Sequence, residues 1–536
     1  MSPTFRLSNA LLAVKVQAPA ASIEKVPIAP TVVLAKTIKG WTLGPGVEAR
    51  NITHQAKKLS EAELRIFRDR LELPIPDEKI GDAPYFHPGP DSEEVQYLLE
   101  RRRALGGSLP KRLVRSRPLP APAAETDAEF SRGSTAAVST TMVFAKLLRN
   151  LMRDPGVGRQ VVPIIPDEAR TFGMDPLFKE VGIYASLGQR YEPVDSDLVL
   201  SYREAKDGQV LEEGITEAGS MASFQAAATS YATHGEPMIP FYIFYSMFGF
   251  QRTGDQAWAF GDARGRGFMM GATAGRTSLN GEGLQHEDGH SHLLASAIPP
   301  LRAYDPAFAH ELATIVRDGI ERMHGHGEDV LYYITLYNEN YPMPPRPDGV
   351  DEGIVRGLYR FLPALEVEGG AKGRVRLVGS GTILQQALAA RDLLASRFGI
   401  AAEVYSATSW QLLRRDALEV ERWNRLHPAA EPRVPYVTEV LGPDGGPVVL
   451  VSDWVKALPD LLGRWLPEGF VSLGTEGFGR SDTREALRAL FEIDAPSIAL
   501  AALDALRRRG AIPASAVVDA MATLGIDPEK ADPQAI

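Results

Sequence analysis

The densest chemistry in the chain lies in GEGLQHEDGHSH, residues 281–292, which holds three of the 10 histidines and three acids. Read literally, His286-Glu287-Asp288-Gly289-His290 fits H-E-x-x-H, the zinc peptidase pattern. That chemistry needs a helix presenting both histidines to one metal, with Glu287 as base. Gly289 falls inside the required turn, Gly281 and Gly283 precede it, and no apolar face is present to bury such a helix. A polar loop of satisfied histidines is the bland alternative. Clustered imidazoles, which titrate near neutrality, favour an active-site loop over both. Two further acid groups stand out. Asp167 and Glu168 follow the apolar run VVPII, and the carboxyl ends of strands face the ligand crevice in open parallel sheets; Asp167 could equally cap a helix. Glu217 sits among small residues in EEGITEAGS. A carboxylate there could be buried with a raised pKa, or could be an ordinary solvated helix charge.

Two other patterns carry less. VGSGTIL has Gly379 and Gly381 but Leu384 where a dinucleotide fingerprint needs its third glycine, so a tight strand-to-helix turn explains it. The aromatic run FYIFYSMFGF reads as core, with Tyr245 and Phe248 as its candidates for a site.

Such groups must be held by large α/β domains, and the composition allows for them. The chain has 536 residues, 44% hydrophobic, enough for two or three domains. The net charge of -10 argues against nucleic acid as a partner. With 0 cysteines there is no disulfide, thiolate nucleophile or iron–sulfur cluster. No apolar run approaches the roughly 18 residues of a membrane span. The reading is a cytoplasmic protein.

Periodicity predicts a strand at Thr31–Leu34, a long polar loop after it, and a helix from Ser60 to about Leu71 with Ser60 as N-cap and Glu63 completing a capping box. RPLPAPAAETDAE, from Arg117, reads as a linker. Beyond it come an amphipathic helix (MVFAKLLRNLMRD), strands (VVPII, PMIPFYIFYSMF, DVLYYITLYN) and a helix from Asp305 with Pro306 at its first position. YPMPPRPDG reads as a second hinge. RVRLVGSG, AEVYSATS, PVVLVSDW and EGFVSL are the strands of a last domain, with a helix from Thr382 to Phe398. Strands alternating with helices predict parallel sheets covered on both faces.

Several strings together resemble the homodimeric bacterial pyruvate dehydrogenases, within the transketolase-like thiamine enzymes: TVVLAKTIKG, NITHQAKK, IIPDEARTFGM, EEGITEAG, MIPFYIFYSMFGFQR, LNGEGLQHEDGHSH, YYITLYNENYPMP, ERWNRLHP and GTEGFGRSD. The likeness runs from about Thr31 to the C-terminus. It implies an α/β, transketolase-like fold: a remnant of a diphosphate-binding domain over 31–125 after an unassigned tail at 1–30, a pyrimidine-binding domain over 126–348, and a C-terminal domain over 349–536. It implies thiamine diphosphate and magnesium as cofactors, pyruvate as substrate, the lipoyl domain of dihydrolipoyl acetyltransferase as acceptor, and a homodimer. By match of motif, Glu217 is the glutamate that bonds the cofactor's pyrimidine ring and Phe248 the aromatic that stacks on it. Tyr245, Asp167 and Glu168 are pocket residues, and His286 lies near the reacting substrate. His54 belongs to a loop that orders over the bound intermediate, and Lys39 lies near the diphosphate.

One departure stands beside the likeness. The family binds magnesium and diphosphate through G-D-G followed further on by Asn, and this sequence contains no G-D-G; Gly254-Asp255-Gln256 with Asn280 lacks the third residue and falls in the wrong domain. No metal ligand is therefore assigned. The sequence alone leaves open a pyruvate dehydrogenase component, a catalytically incomplete fragment or half of a split enzyme needing an N-terminal partner, and, remotely, a zinc hydrolase on His286 and His290.

Overall fold

The computed structural model describes residues 37–107, 116–166, 169–193, 202–443, 445–467 and 469–535. The Thr31–Leu34 strand, the tail before it, and Asp167 and Glu168 lie outside these residues. The chain divides into two compact units, 1–111 and 112–536.

In the first unit, Ser60 caps helix α1 (Glu61–Arg70), and Ser60 and Glu63 exchange the reciprocal bonds of the capping box. Helix α2 (Glu93–Ala104), capped by Ser92, buries no residue. The polar stretch before α1 is a series of turns with one short 3-10 helix at Asn51–His54.

The second unit opens on the segment after Arg117, which is pinned down and does not behave as a linker. Arg317 donates to the Pro122 and Ala123 carbonyls and pairs with Asp127, and Asp154 accepts from the Ala123 amide and Thr126. Helix α3 (Thr140–Arg153), N-capped by Ser139, follows. A six-stranded sheet is then laid down from β1 (Val161–Ile165), β2 (Leu211–Glu212), β3 (Ile239–Tyr245), β4 (Phe268–Ala272), β5 (Leu301–Tyr304) and β6 (Leu331–Thr335), in the spatial order β2-β1-β3-β4-β6-β5 with every pair parallel. Two-residue alternation along β3 sends Phe241 and Ile243 into a core shared with α3, and Tyr242 and Phe244 into a core with helices α4 (Glu217–Ala228) and α5 (Gly249–Asp262). Both faces are thus covered, as a parallel sheet requires.

Helix α6 begins at Ala309 and runs to Ile320, with Phe308 at its N-cap and Glu311 as the acid three residues on. Pro306 is therefore outside the helix. Asp305, at the end of the chain leaving β5, is drawn away from helix capping by stronger partners described below. The Pro-rich stretch after β6 is no free hinge either: Tyr341–Met343 pairs antiparallel with Ser134–Val138.

The C-terminal sheet is built from β7 (Tyr359–Leu362), β8 (Gly373–Gly379), β9 (Ile400–Ser406), β10 (Val448–Val451) and β11 (Val471–Leu473), in the order β7-β9-β8-β10-β11. Only β7 is antiparallel. Helices α7 (Leu384–Leu393) and α9 (Ala495–Arg508) cover one face, and α8 (Trp410–Leu426) covers the other. Gly381, at φ +51, makes the tight turn between β8 and α7. Among the described residues no helix is long and apolar enough to cross a membrane.

Candidate active site

The site lies at the carboxyl ends of β3 and β4, where loops leave the middle sheet. Strand β3 is a run of aromatic and β-branched residues that ends at Tyr245; a single 3-10 turn, Ser246–Phe248, then starts α5. That turn swings Phe248 back beside Tyr245, 6.1 Å between ring centroids and nearly perpendicular. His286 closes the triangle, 4.9 Å from Tyr245 edge-on and 5.4 Å from Phe248. Phe172 also packs on Tyr245, 5.4 Å between ring centroids.

Glu217 enters from the first turn of α4, which Thr216 caps. Its carboxylate accepts from Arg252 Nη1 at 2.7 Å, and its side chain is 13% exposed. The same guanidinium lies 4.0 Å over the Phe248 ring. Glu217 is thus neither sealed among small residues nor a free helix charge. It is an ion-paired acid tied through Arg252 to the aromatic group. Arg252 is a site residue the sequence reading did not single out, although its spacing of four from Phe248 puts the two on one helical face.

The histidine loop is not a helix at the point where zinc would require one. His286 ends a 3-10 turn, Leu284–His286, and His290 precedes a separate short helix, Ser291–Ala295. Among the described residues no group of three His, Cys, Asp or Glu is placed to hold a metal ion. The peptidase reading fails on this backbone. Asp288 explains the loop's actual shape: its carboxylate accepts from Ser246 Oγ and from the His290 and Ser291 amides, 3.0 Å each. A residue of the β3 turn and a residue of the loop are thereby locked together, and this fixes His286 over Tyr245. His292 is fully buried, and burial pushes its imidazole below the ordinary range; it bonds Thr335 at 3.1 Å and serves the core.

Lys39 and His54, in the first unit, meet each other: Nζ lies 3.0 Å from Nδ1, both exposed.

An all-parallel sheet with its site at the strand ends, followed by a mostly parallel C-terminal sheet, is the transketolase-like α/β class. The fold agrees: the transketolase of Campylobacter jejuni superposes with a TM-score of 0.56 at 15% identity, over 87% of this chain and 62% of that one. That of Leishmania mexicana gives 0.54 at 16%, over 84% and 55%. Residues 120–344 match the pyruvate dehydrogenase E1 component middle domain, and 357–494 the transketolase-like C-terminal domain. The chain is 53% identical to the pyruvate dehydrogenase E1 component of Pseudomonas aeruginosa over 94% of its own length, and 46% identical to that of Escherichia coli, also over 94%. The chain belongs to the pyruvate dehydrogenase E1 component family. It spans 57% and 56% of the length of those two relatives.

Proposed function

We propose that this chain supplies the pyrimidine side of a thiamine-diphosphate site in a pyruvate dehydrogenase component. The reaction is oxidative decarboxylation of pyruvate, with transfer of the acetyl group to the lipoyl group of dihydrolipoyl acetyltransferase. The observation that carries the reading is the convergence of Glu217, Tyr245, Phe248 and His286, drawn from three separate stretches of the sequence.

The fit to the cofactor is divided. A carboxyl group beside aromatic rings suits a nitrogen heterocycle: Phe248 and Tyr245 offer ring faces and edges, and Glu217, when protonated, would donate a hydrogen bond to a ring nitrogen, or as carboxylate accept one from that nitrogen once it is protonated. Bound there, thiamine diphosphate would supply the carbanion and electron sink that loss of CO2 requires. Glu217 would hold or release a proton at the ring nitrogen, and His286 would orient the substrate or move a proton beside it. The diphosphate end finds no match: there is no G-D-G in the sequence, and among the described residues no group of three His, Cys, Asp or Glu is placed to hold a metal ion. Lys39 is one exposed cation against several phosphate charges, which is weak compensation in water. Magnesium and the diphosphate are therefore assigned to groups that these residues do not supply, on an added G-D-G domain. On this reading 126–348 is the pyrimidine domain, 349–536 the C-terminal domain, and 31–125 belongs with the diphosphate side. His54 acts on the acyl-transfer step, and the family resemblance gives Asp167 and Glu168 a part in binding.

The experiment is calorimetric titration of thiamine diphosphate and magnesium into the whole chain, with and without an added domain that carries G-D-G and the later Asn, beside a pyruvate-dependent dye-reduction assay. Weak binding alone, tightened by the added domain and lost again in Glu217→Gln, is expected. Unchanged binding in both Glu217→Gln and Phe248→Ala would remove the pyrimidine assignment. Tight magnesium-dependent binding by the chain alone would remove the divided site.

A further inference from the structure

Directly after His286 stands a group the proposed reaction does not use. Glu287 is 2% exposed, and neither of its carboxyl oxygens has a hydrogen-bond partner. It is surrounded by other unsatisfied atoms: Arg276 Nε and His286 Nδ1 are also buried without partners. Buried polar atoms are rarely left in this state, and four on Glu287, its neighbour His286 and Arg276 mark a built feature.

The surroundings are close-packed from three directions. Arg276 follows Thr273 and Gly275, both at positive φ after β4, and its guanidinium donates to the Thr475 carbonyl. It presses on Gly289 so closely that a Cβ there would collide with it. From the C-terminal domain, the segment after β11 lies on the stem of Glu287: a Cβ on Gly479 would collide with Glu287 Cβ. This segment is fixed at both ends, since Lys456 N donates to Glu476 at 2.7 Å and Arg484 Nε donates to the Ser278 carbonyl at 2.7 Å. Glu287 therefore cannot turn outward without moving either His286 or the Gly479 segment.

We propose, resting on the site assigned above, that Glu287 is a positioning residue for His286: its buried carboxylic acid, wedged against the Gly479 backbone, holds the His286 turn on Tyr245 and Phe248 only while it keeps its proton. The charged groups acting on it are Asp453 beyond β10, Glu282 in its own loop, and Arg276. Burial and the two acids outweigh the arginine and push Glu287 up to about 8. Glu476, Asp288 and Asp453 share the same Arg276, so that one cation is spread over several acids. Ionisation would place an unpaired charge in a dry pocket. The charge is relieved by drawing water in and lifting the 281–290 loop.

The test is hydrogen exchange of the 281–292 segment by mass spectrometry on the whole chain, across neutral to alkaline pH and corrected for intrinsic rates. In the wild type, exchange should accelerate about tenfold from one pH unit below the Glu287 ionisation to one unit above it. Glu287→Gln, which mimics the neutral acid, should abolish that acceleration. Gly479→Ala, whose methyl displaces Glu287, should raise exchange at every pH. An identical pH dependence in wild type and Glu287→Gln, or a Glu287→Gln chain that does not fold, would overturn the proposal. The readout needs neither cofactor nor turnover, so a chain that stays without pyruvate activity after addition of the G-D-G domain counts against the site's assigned reaction and leaves this result standing. In the reconstituted enzyme, Glu287→Gln should flatten the alkaline limb of kcat/KM.

Discussion

Arg252 reaches Glu217 at 2.7 Å while lying 4.0 Å over the ring of Phe248. One side chain thus joins the acid to the aromatic wall, and it is half exposed. Such a pair is held loosely in energy even when its geometry is good. Arg252→Gln should lower unfolding free energy by less than about 1 kcal/mol in urea titrations. Its effect on cofactor affinity, measured in the complemented chain, should exceed that stability change. A larger stability loss would show that Arg252 serves the fold.

Asp305 is the opposite case. It is 1% exposed and accepts from Thr335 at 2.6 Å, Ser380 at 2.6 Å, Trp454 Nε1 at 2.8 Å and the Tyr337 hydroxyl. Two of these donors, Ser380 and Trp454, belong to the C-terminal domain, just past the ends of β8 and β10, so the carboxylate joins that domain to the middle sheet. Asp305→Ala strands four buried donors and should cost roughly 4 kcal/mol or more. Earlier proteolytic cutting near 345–356 should accompany the loss if the two sheets separate.

Gly381 takes φ +51, and a Cβ there would stand 2.5 Å from the Tyr337 hydroxyl. Gly381→Ala should therefore cost about 2–4 kcal/mol, from backbone strain and from displacement of Tyr337 from Asp305. Guanidinium unfolding would measure it. A cost below about 1 kcal/mol would mean that the turn relaxes freely.

His324 is 4% exposed with both ring nitrogens unpartnered, and burial pushes its pKa down to about 3. The folded state thus resists a proton that the unfolded chain accepts near pH 6.5. Stability is present above about 6.5 and is lost as pH falls towards 3. Between pH 6.5 and 5 the loss from this residue should be about 2 kcal/mol. His324→Phe should remove that part of the acid sensitivity, and unfolding curves at the two pH values would show it.

The sequence by itself determined the periodic elements and the family. The Ser60–Glu63 capping box, the aromatic strand ending at Tyr245, the tight turn at Gly381 and the alternation of strands with helices are local signals, written in residues a few positions apart. Nearby residues decide such features, so they survive in any context. The tertiary structure decided what depends on partners far along the chain. Pro306 marked a helix start, yet Asp305 is held by Ser380 and Trp454, and the helix waits until Ala309. RPLPAPAAETDAE has a linker's composition, but Arg317, some 190 residues on, fastens it down. H-E-x-x-H is a local pattern whose metal-binding meaning needs a helix, and Asp288, bonded to Ser246 across 42 residues, bends the chain otherwise. Arg252, and any role for Glu287 outside that pattern, were invisible for the same reason. A charge becomes part of a site through what faces it, and only the packed sheet brings those faces together.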